Sequence, residues 1–509
     1  MALANESFSV GQAALIAMLR LRVPTPAVTS TIGPGARKTM VADGRAIERY
    51  PMSYRPDDSL IGHLRFALKY EPVDLGVLAA AFKAAGGAGI ATWVASEPNG
   101  AYARRAWFLY EWLTGTALDV PDAGAVTYVD VLDARFHITA KGIPSKRHKV
   151  TDNILGRPGF APMVRRTPRL DAFQAEAIDT EARVLIAGCD PEVLARAVNY
   201  LYTKETKSSF AIENEVASGK RAERFVAALR STGSFEPTDP DSLVALQKTI
   251  VDPRYAAHAF RDFQNFVGES VGGYREVAHF ICPRPQDLGS LMAAWSAMTE
   301  RLKGATDAVV AATLVAFGFV FLHPFEDGNG RIHRFLLHHV LTLEGFTPPG
   351  VLFPVSAAIV RDRRGYDAAL ETFSQAIQPH IDWHWTPSKQ IEVANDTGDL
   401  YRYFDATKLA EFLYAKVAET VRKDLRDELD FVAIYDGATA AIRDIVDMPD
   451  RRASLLVRLC LQNGGMLSKQ KRDSFPEITD CELTALQSAI QAVMAERTPQ
   501  TDGTDIASP

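Results

Sequence analysis

HPFEDGNGRIHR, His323 to Arg334, is the stretch around which the rest of this 509-residue chain is read. Before it, Ala308 to Leu322 is apolar apart from Thr313 and Gly318. That run is short for a bilayer span and predicts a buried core helix. Gly328, Asn329 and Gly330 interrupt the pattern. Ile332, Phe335, Leu336 and Val340 then resume it at helical spacing. The order is helix, glycine-rich loop, helix.

This arrangement suits an anion carrying several phosphates. The glycines let the backbone turn tightly and present N–H groups without obstruction. The next helix begins there, with its free N–H groups and positive dipole end pointing the same way. Arg331 and Arg334 are three apart and share a helix face, so two guanidinium forks flank the loop. Asp327 could hold Mg²⁺ through one carboxylate while phosphates supply further ligands. His323, at the end of the preceding helix, is placed to act as a general base near neutral pH. Singly, each residue has an ordinary role: a structural His, a DGNG turn, a solvated arginine face. Their coincidence in one dodecapeptide reads as a phosphate-transfer site.

These residues resemble the Fic family. Its signature reads His-x-Phe-x-Asp/Glu-Gly-Asn-Gly-Arg-x-x-Arg. His323, Phe325, Asp327, Gly328, Asn329, Gly330, Arg331 and Arg334 fill every specified position. The resemblance implies a mainly α fold: a Fic-like helical core with a β-hairpin flap. It implies transfer of AMP from ATP, with Mg²⁺, to a Ser, Thr or Tyr hydroxyl of a target protein. His323 would deprotonate that hydroxyl and Asp327 would bind Mg²⁺. Gly328, Asn329 and Gly330 would cradle phosphates, and Arg331 and Arg334 would hold the β and γ phosphates. Phe325 resembles a buried loop anchor. The strand-like runs Asp262 to Gly268 and Glu276 to Cys282, joined through Gly272 and Gly273, stand where the family's flap would be. A target segment would dock there, near 262–282, by strand pairing. Tyr366 resembles a tyrosine lining the nucleotide-base pocket, and a core tyrosine is the competing reading.

SFAIEN, Ser209 to Asn214, fits the family's inhibitory pattern Ser/Thr-x-x-x-Glu-Gly/Asn. The resemblance implies an inhibitory helix near 203–219, in which Glu213 pairs with Arg334 and displaces the γ-phosphate. Ser209, one turn earlier, would fix that helix. In some relatives the same glutamate supports removal of AMP from the target, so de-AMPylation stays open.

The remainder of the chain sets limits. Hydrophobic residues make up 47% and the net charge is -6, which excludes a disordered chain. Cys189, Cys282, Cys460 and Cys481 are too few and too scattered for a disulfide scaffold and read as buried free thiols. A pI near 6.0 gives no basic footprint, so nucleic acid is not the expected partner. The start, MALANESFSV, lacks the basic and apolar regions of a signal peptide. The expectation is a cytoplasmic protein with no membrane segment, and a homo-oligomer is compatible with the sequence.

Three regions are expected. Residues 1–165 read as mixed α/β, with VTYVDVL (Val126 to Leu132) as a strand and Gly156 to Arg169 as a linker. Residues 166–390 hold the Fic-like domain. Residues 391–509 read as a helical, winged-helix-like module with a polar, disordered tail. Lys469, Lys471 and Arg472 are its basic cluster, and any nucleic-acid binding would reside there. GPGARKT (Gly33 to Thr39) fails as a phosphate loop because Arg37 stands where glycine is needed. His380, Asp382 and His384 read as a turn, and His333, His338 and His339 lack the HExxH spacing of a zinc site. The rival functions are transfer of another nucleotide, transfer of a phosphate group, and a nucleotide-sensing regulator with a DNA-binding C-terminal module. Of these the resemblance argues only against phosphate transfer, since kinase-like relatives differ at the position of Gly330.

Overall fold

Ala308–Leu322 forms the predicted helix, here termed the central helix, and it is buried on nearly every side. Asp307 starts it by accepting hydrogen bonds from the N–H groups of Val309 (2.9 Å) and Val310 (3.1 Å). Its walls are the helices Pro285–Leu302, Asn329–Leu343 and Thr407–Glu419. Trp295 seals the first contact by donating to the carbonyl of Val315 at 2.9 Å. An all-apolar helix has no polar face to offer water, so it must lie at the centre of the helical layer. This is a computed structural model. It describes residues 7–42, 44–272 and 275–497.

The fold is mainly α, with 57% of residues helical and several small sheets. The expected hairpin is present: Phe266–Val271 pairs antiparallel with Arg275–Ile281, Phe266 opposite Ile281. Near the N-terminus a four-stranded sheet runs Phe8–Val10, Val28–Ile32, Arg45–Tyr50, Lys38–Ala42. Its two central strands are parallel. Gly33 to Arg37 is the loop between two of these strands. Four helices between Leu60 and Thr114 form a second core around Trp93 and Trp107.

Several expectations change. VTYVDVL contributes only the short strand Val129–Asp130. Beyond it, Asn153 offers its amide to both the N–H (2.8 Å) and the carbonyl (2.9 Å) of Leu132, so a side chain takes the place of a partner strand. The expected linker Gly156 to Arg169 is not loose. Phe160, Ala161, Met163 and Val164 are buried. Ala161 N–H donates to Arg402 O at 2.9 Å, and Met163 N–H to Phe404 O at 2.8 Å. The helix expected near 203–219 spans Pro191–Ile212 and is followed by a turn. Among the described residues no strand follows Val393, so the C-terminal module is a helical bundle without a wing. Within it Arg472 is spent on Asp480 (2.8 Å) and on the carbonyls of Phe475 and Ile478. Thr479 and Glu482 do form the reciprocal cap that their spacing suggests. No disulfide joins the cysteines among the described residues; Cys282 and Cys460 are buried, while Cys481 is exposed. The expected disordered tail, from residue 498, lies outside the described residues. No single helix among the described residues is long and apolar enough to cross a membrane.

Candidate active site

His323 ends the central helix in a left-handed conformation, φ 50°. That turn swings the chain into the loop 324–328 and leaves the imidazole half-buried. Nδ1 lies 3.3 Å from Val320 O. With Nδ1 donating there, Nε2 is the nitrogen left to accept a proton. Burial, aided by the Arg261 guanidinium, lowers the His323 pKa to about 4. The ring is therefore neutral at physiological pH.

The loop is held from three sides. Phe325 is buried against Phe260 and Phe319, as the sequence suggests. The Asn329 side chain accepts from Phe325 N–H (3.0 Å) and donates to Phe325 O (2.8 Å). Its amide is thus a loop staple, leaving only its backbone for an anion. Gln247 donates to Asp327 O at 3.2 Å. Gly328 has φ 92°, where only glycine is relaxed. The helix Asn329–Leu343, here the signature helix, starts at once. Its first N–H groups have no acceptor within the helix and face the loop.

Arg331 and Arg334 are buried, with side chains 0% and 2% exposed. Buried guanidinium groups need partners, and here they share one. Glu213 Oε1 lies 2.6 Å from Arg334 Nη2, and Glu213 Oε2 lies 2.9 Å from Arg331 Nε. The second contact is ionic rather than an aligned hydrogen bond, since Arg331 Nε has no hydrogen-bond partner. Arg331 also reaches Asp327 Oδ1 at 2.8 Å and stacks over Phe210. Arg334 donates to Ser209 Oγ (2.7 Å) and Ser209 O (2.8 Å). A Cβ on Gly330 would stand 2.5 Å from Glu213 Oε1, so glycine there makes room for the carboxylate.

The structure brings Ser209, Glu213, Asp327, Gly330, Arg331 and Arg334 together. The bridge differs from the expectation in joining Glu213 to both arginines rather than to Arg334 alone. Asn214 adopts φ 57° just after the helix. Left-handed backbone favours Gly or Asn, which explains that position of the motif without any chemical role. Tyr366 is buried, beside His333 and Phe412. Glu215, which pairs with Arg221, lies 3.9 Å from Arg331 and adds a second, weaker negative charge.

Two residues escape sequence reading. Gln247 is one. The other is Arg261, whose guanidinium donates to the carbonyls of His323, Phe263 and Pro283, each at 2.8 Å. One buried side chain thereby ties the base of the hairpin to the histidine. Arg261→Met removes the side-chain donor from three carbonyls, of which that of Pro283 is buried. It is expected to lower unfolding stability by about 3–5 kcal/mol, measured by denaturant titration. No local sequence pattern marks an arginine that binds distant backbone.

Residues 237–341 match the family model described as Fic/DOC family. The chain carries a Fic/DOC domain. Over 87 residues, 16% of the chain, it is 32% identical to "Protein adenylyltransferase Fic" of Nematostella vectensis. The match spans about a fifth of that relative's length. A Fic family protein from Desulfovibrio desulfuricans G20 has a solved structure similar to 62% of this chain and 95% of its own. The identity is 19% and the TM-score 0.38. A Fic domain containing signaling protein from Bacteroides thetaiotaomicron VPI-5482 is similar over 50% and 96%, with 18% identity and TM-score 0.36. The Fic/DOC match includes the hairpin and His323 to Arg334. Ser209 to Asn214 lies upstream of it, so the carboxylate that bridges the two arginines comes from outside the matched segment.

Proposed function

We propose that this chain is a protein adenylyltransferase that transfers AMP from ATP to a Ser, Thr or Tyr hydroxyl of a target protein, held in check by Glu213. The observation that carries this reading is the carboxylate seated between Arg331 and Arg334 beside a complete His323-to-Arg334 loop. Two buried cations converging on one small anion make a polyphosphate subsite, and Glu213 supplies the anion from within the chain. While it stays there, the β and γ phosphates have no cationic partner.

With Glu213 withdrawn, the arginines take the terminal phosphates and the N–H groups at the start of the signature helix face the rest of the chain of phosphates. A target segment lies along the hairpin Phe266–Ile281 and presents its hydroxyl to His323. Nε2 takes the hydroxyl proton as the oxygen bonds to the α-phosphorus. The bond from that phosphorus to the bridging oxygen breaks, and pyrophosphate leaves with the electron pair. Mg²⁺ suits the donor set. Asp327 Oδ1 is engaged by Arg331 and by the Gly328 N–H at 2.6 Å, while Oδ2 has no hydrogen bond among the described residues. The side chain is 43% exposed. No three His, Cys, Asp or Glu side chains converge as a cage among the described residues. One carboxylate completed by phosphates and water is how Mg²⁺ is commonly held, and the ion would neutralise charge on the phosphates.

The lowered His323 pKa sets the pH dependence. A base of pKa about 4 stays neutral, hence competent, down to about pH 5. In the Glu213→Gly protein kcat/KM is expected to be flat from pH 8 to 5.5, whereas an unperturbed histidine would lose about tenfold at pH 5.5. An acid limb centred near 6.5 would remove His323 as the base.

The test of the proposal is Mg²⁺-dependent incorporation of label from α-labelled ATP, scored on the chain itself and on lysate proteins. Label in the Glu213→Gly protein, absent from wild type and from Glu213→Gly/His323→Ala, is the expected pattern. Equal labelling of wild type and Glu213→Gly would discard the brake. Release of AMP from a purified modified target by wild type, dependent on Glu213, would assign the glutamate to reversal instead.

A further inference from the structure

The helix Pro191–Ile212, which delivers Glu213, meets the signature helix through more than that one residue. Glu205, Ser209 and Glu213 are spaced i, i+4, i+8 and fall on one face. Their partners run the opposite way along the signature helix. Glu205 meets His338, Ser209 meets Arg334, and Glu213 meets Gly330 and Arg331. The result is an antiparallel polar ladder between the two helices. Its far rung is fully buried. Glu205 is 0% exposed, and its Oε1 lies 2.9 Å from His338 Nε2, a close approach outside hydrogen-bond alignment. Oε2 accepts from the Ser356 N–H at 2.8 Å, and Oε1 accepts from the Ser356 hydroxyl.

We propose that Glu205 is a positioning residue that, held by Ser356 of the helix Val355–Arg361 and facing His338 of the signature helix, sets the axial register of this helix against both and so delivers Glu213 between the two arginines. This rests on the reading of Glu213 as a brake. The physical reason is the cost of a buried carboxylate. Such a group gains little net stability over an apolar residue, but it tolerates only the register in which its donors meet it. Sliding the helix by one turn, about 5.4 Å, would strand Glu205 among apolar neighbours and lift Glu213 off the arginines together. Glu205 stands eight residues from Glu213, about 12 Å along the axis, and touches neither arginine. Two further contacts hold the same register. Lys204 Nζ lies 2.9 Å from Asp424 Oδ1 and 3.1 Å from Glu428 Oε1, and Arg363 donates to Ile212 O.

Glu205→Gln keeps the shape but turns an amide NH₂ toward donors. Two readouts test it. The first is label incorporation from α-labelled ATP beside wild type, Glu213→Gly and the Glu205→Gln/Glu213→Gly double variant. Glu205→Gln is expected to gain at least tenfold over wild type, and the double variant to label no more than Glu213→Gly alone. A residue that merely supports folding would lower labelling instead. The second readout is hydrogen exchange of the amides of residues 206–213 in the full chain. Exchange there should rise at least tenfold in Glu205→Gln, while the central helix is unchanged. Glu213→Gly should affect only the last turn. Wild-type exchange at 206–213 in folded Glu205→Gln overturns the register role, whether or not any variant labels. Labelling by Glu213→Gly with none by Glu205→Gln also overturns it. No labelling by Glu213→Gly, with raised exchange in Glu205→Gln, keeps the register role and removes the brake. If Glu205→Gln does not fold, Ser356→Ala, which deletes one donor, is measured on the same two scales with a smaller gain expected.

Discussion

Glu213→Gly is expected to raise AMP incorporation by about 100-fold or more over wild type. The reason lies in what the carboxylate occupies. It makes charge-assisted contacts with two buried guanidinium groups. The hydrogen bond to Arg334 is worth roughly 1.5–3 kcal/mol, and the unaligned ion pair with Arg331 adds about 1 kcal/mol. Incoming phosphates must displace both, a penalty of about 2.5–4 kcal/mol, or roughly 10²–10³ in occupancy of the productive pose. Glycine removes the anion and adds no bulk beside Gly330. The variant also carries a diagnostic cost: without ATP, Arg334 keeps only the neutral Ser209 contacts and Arg331 keeps Asp327, so the shared carboxylate between two buried cations is lost. Its melting temperature should drop, and ATP or pyrophosphate should restore it. Thermal unfolding with and without nucleotide reads this directly. An unchanged melting temperature together with unchanged labelling would remove Glu213 from any role at the site.

His323→Ala, made in the Glu213→Gly background, is expected to lower labelling by about 10²–10⁴-fold, the usual worth of a positioned general base. The comparison isolates chemistry from binding. His323 makes no contact with Arg331 or Arg334, so ATP affinity by calorimetry should stay within about twofold. Its backbone carbonyl still accepts from Arg261, so the loop keeps its anchor. A variant that loses ATP binding along with labelling would mean that the imidazole supports the loop rather than the proton transfer.

The chemistry of this site was legible because it is contiguous. Twelve successive residues hold the candidate base, the candidate metal carboxylate, the glycine-rich loop and both arginines, and a local pattern can be read locally. SFAIEN was legible for a similar reason, since a helix end with a left-handed Asn214 has a short signature. The partners across space were not. That Glu213 reaches Arg331 as well as Arg334 depends on two helices meeting at one offset. That Glu205 answers His338 depends on the same offset. Arg261 and Gln247 act on backbone carbonyls far along the chain, and backbone carries no residue code. The remaining misreadings share a cause. VTYVDVL has strand composition, but Asn153 takes the bonds a partner strand would make. Gly156 to Arg169 has linker composition, but its backbone is stitched to residues 402–406.

One feature of the C-terminal half alters how the chain can be divided. Thr407–Glu419 passes through a π turn, Thr420–Leu425, straight into Arg426–Arg443. At that turn the buried Asp424 takes Arg361 (2.6 Å) and Lys204 (2.9 Å) from two other helices. The first segment walls the central helix, and the last contributes Ala438 and Ile442 to the separate C-terminal core. Residue 390 therefore marks no seam. A protein shortened there loses a wall of the central helix and exposes that helix to water, so deletions meant to remove the C-terminal bundle would instead yield insoluble chain. A cut after Arg443, at the end of the helix Arg426–Arg443, keeps every residue of the central core, whose last member is Val432.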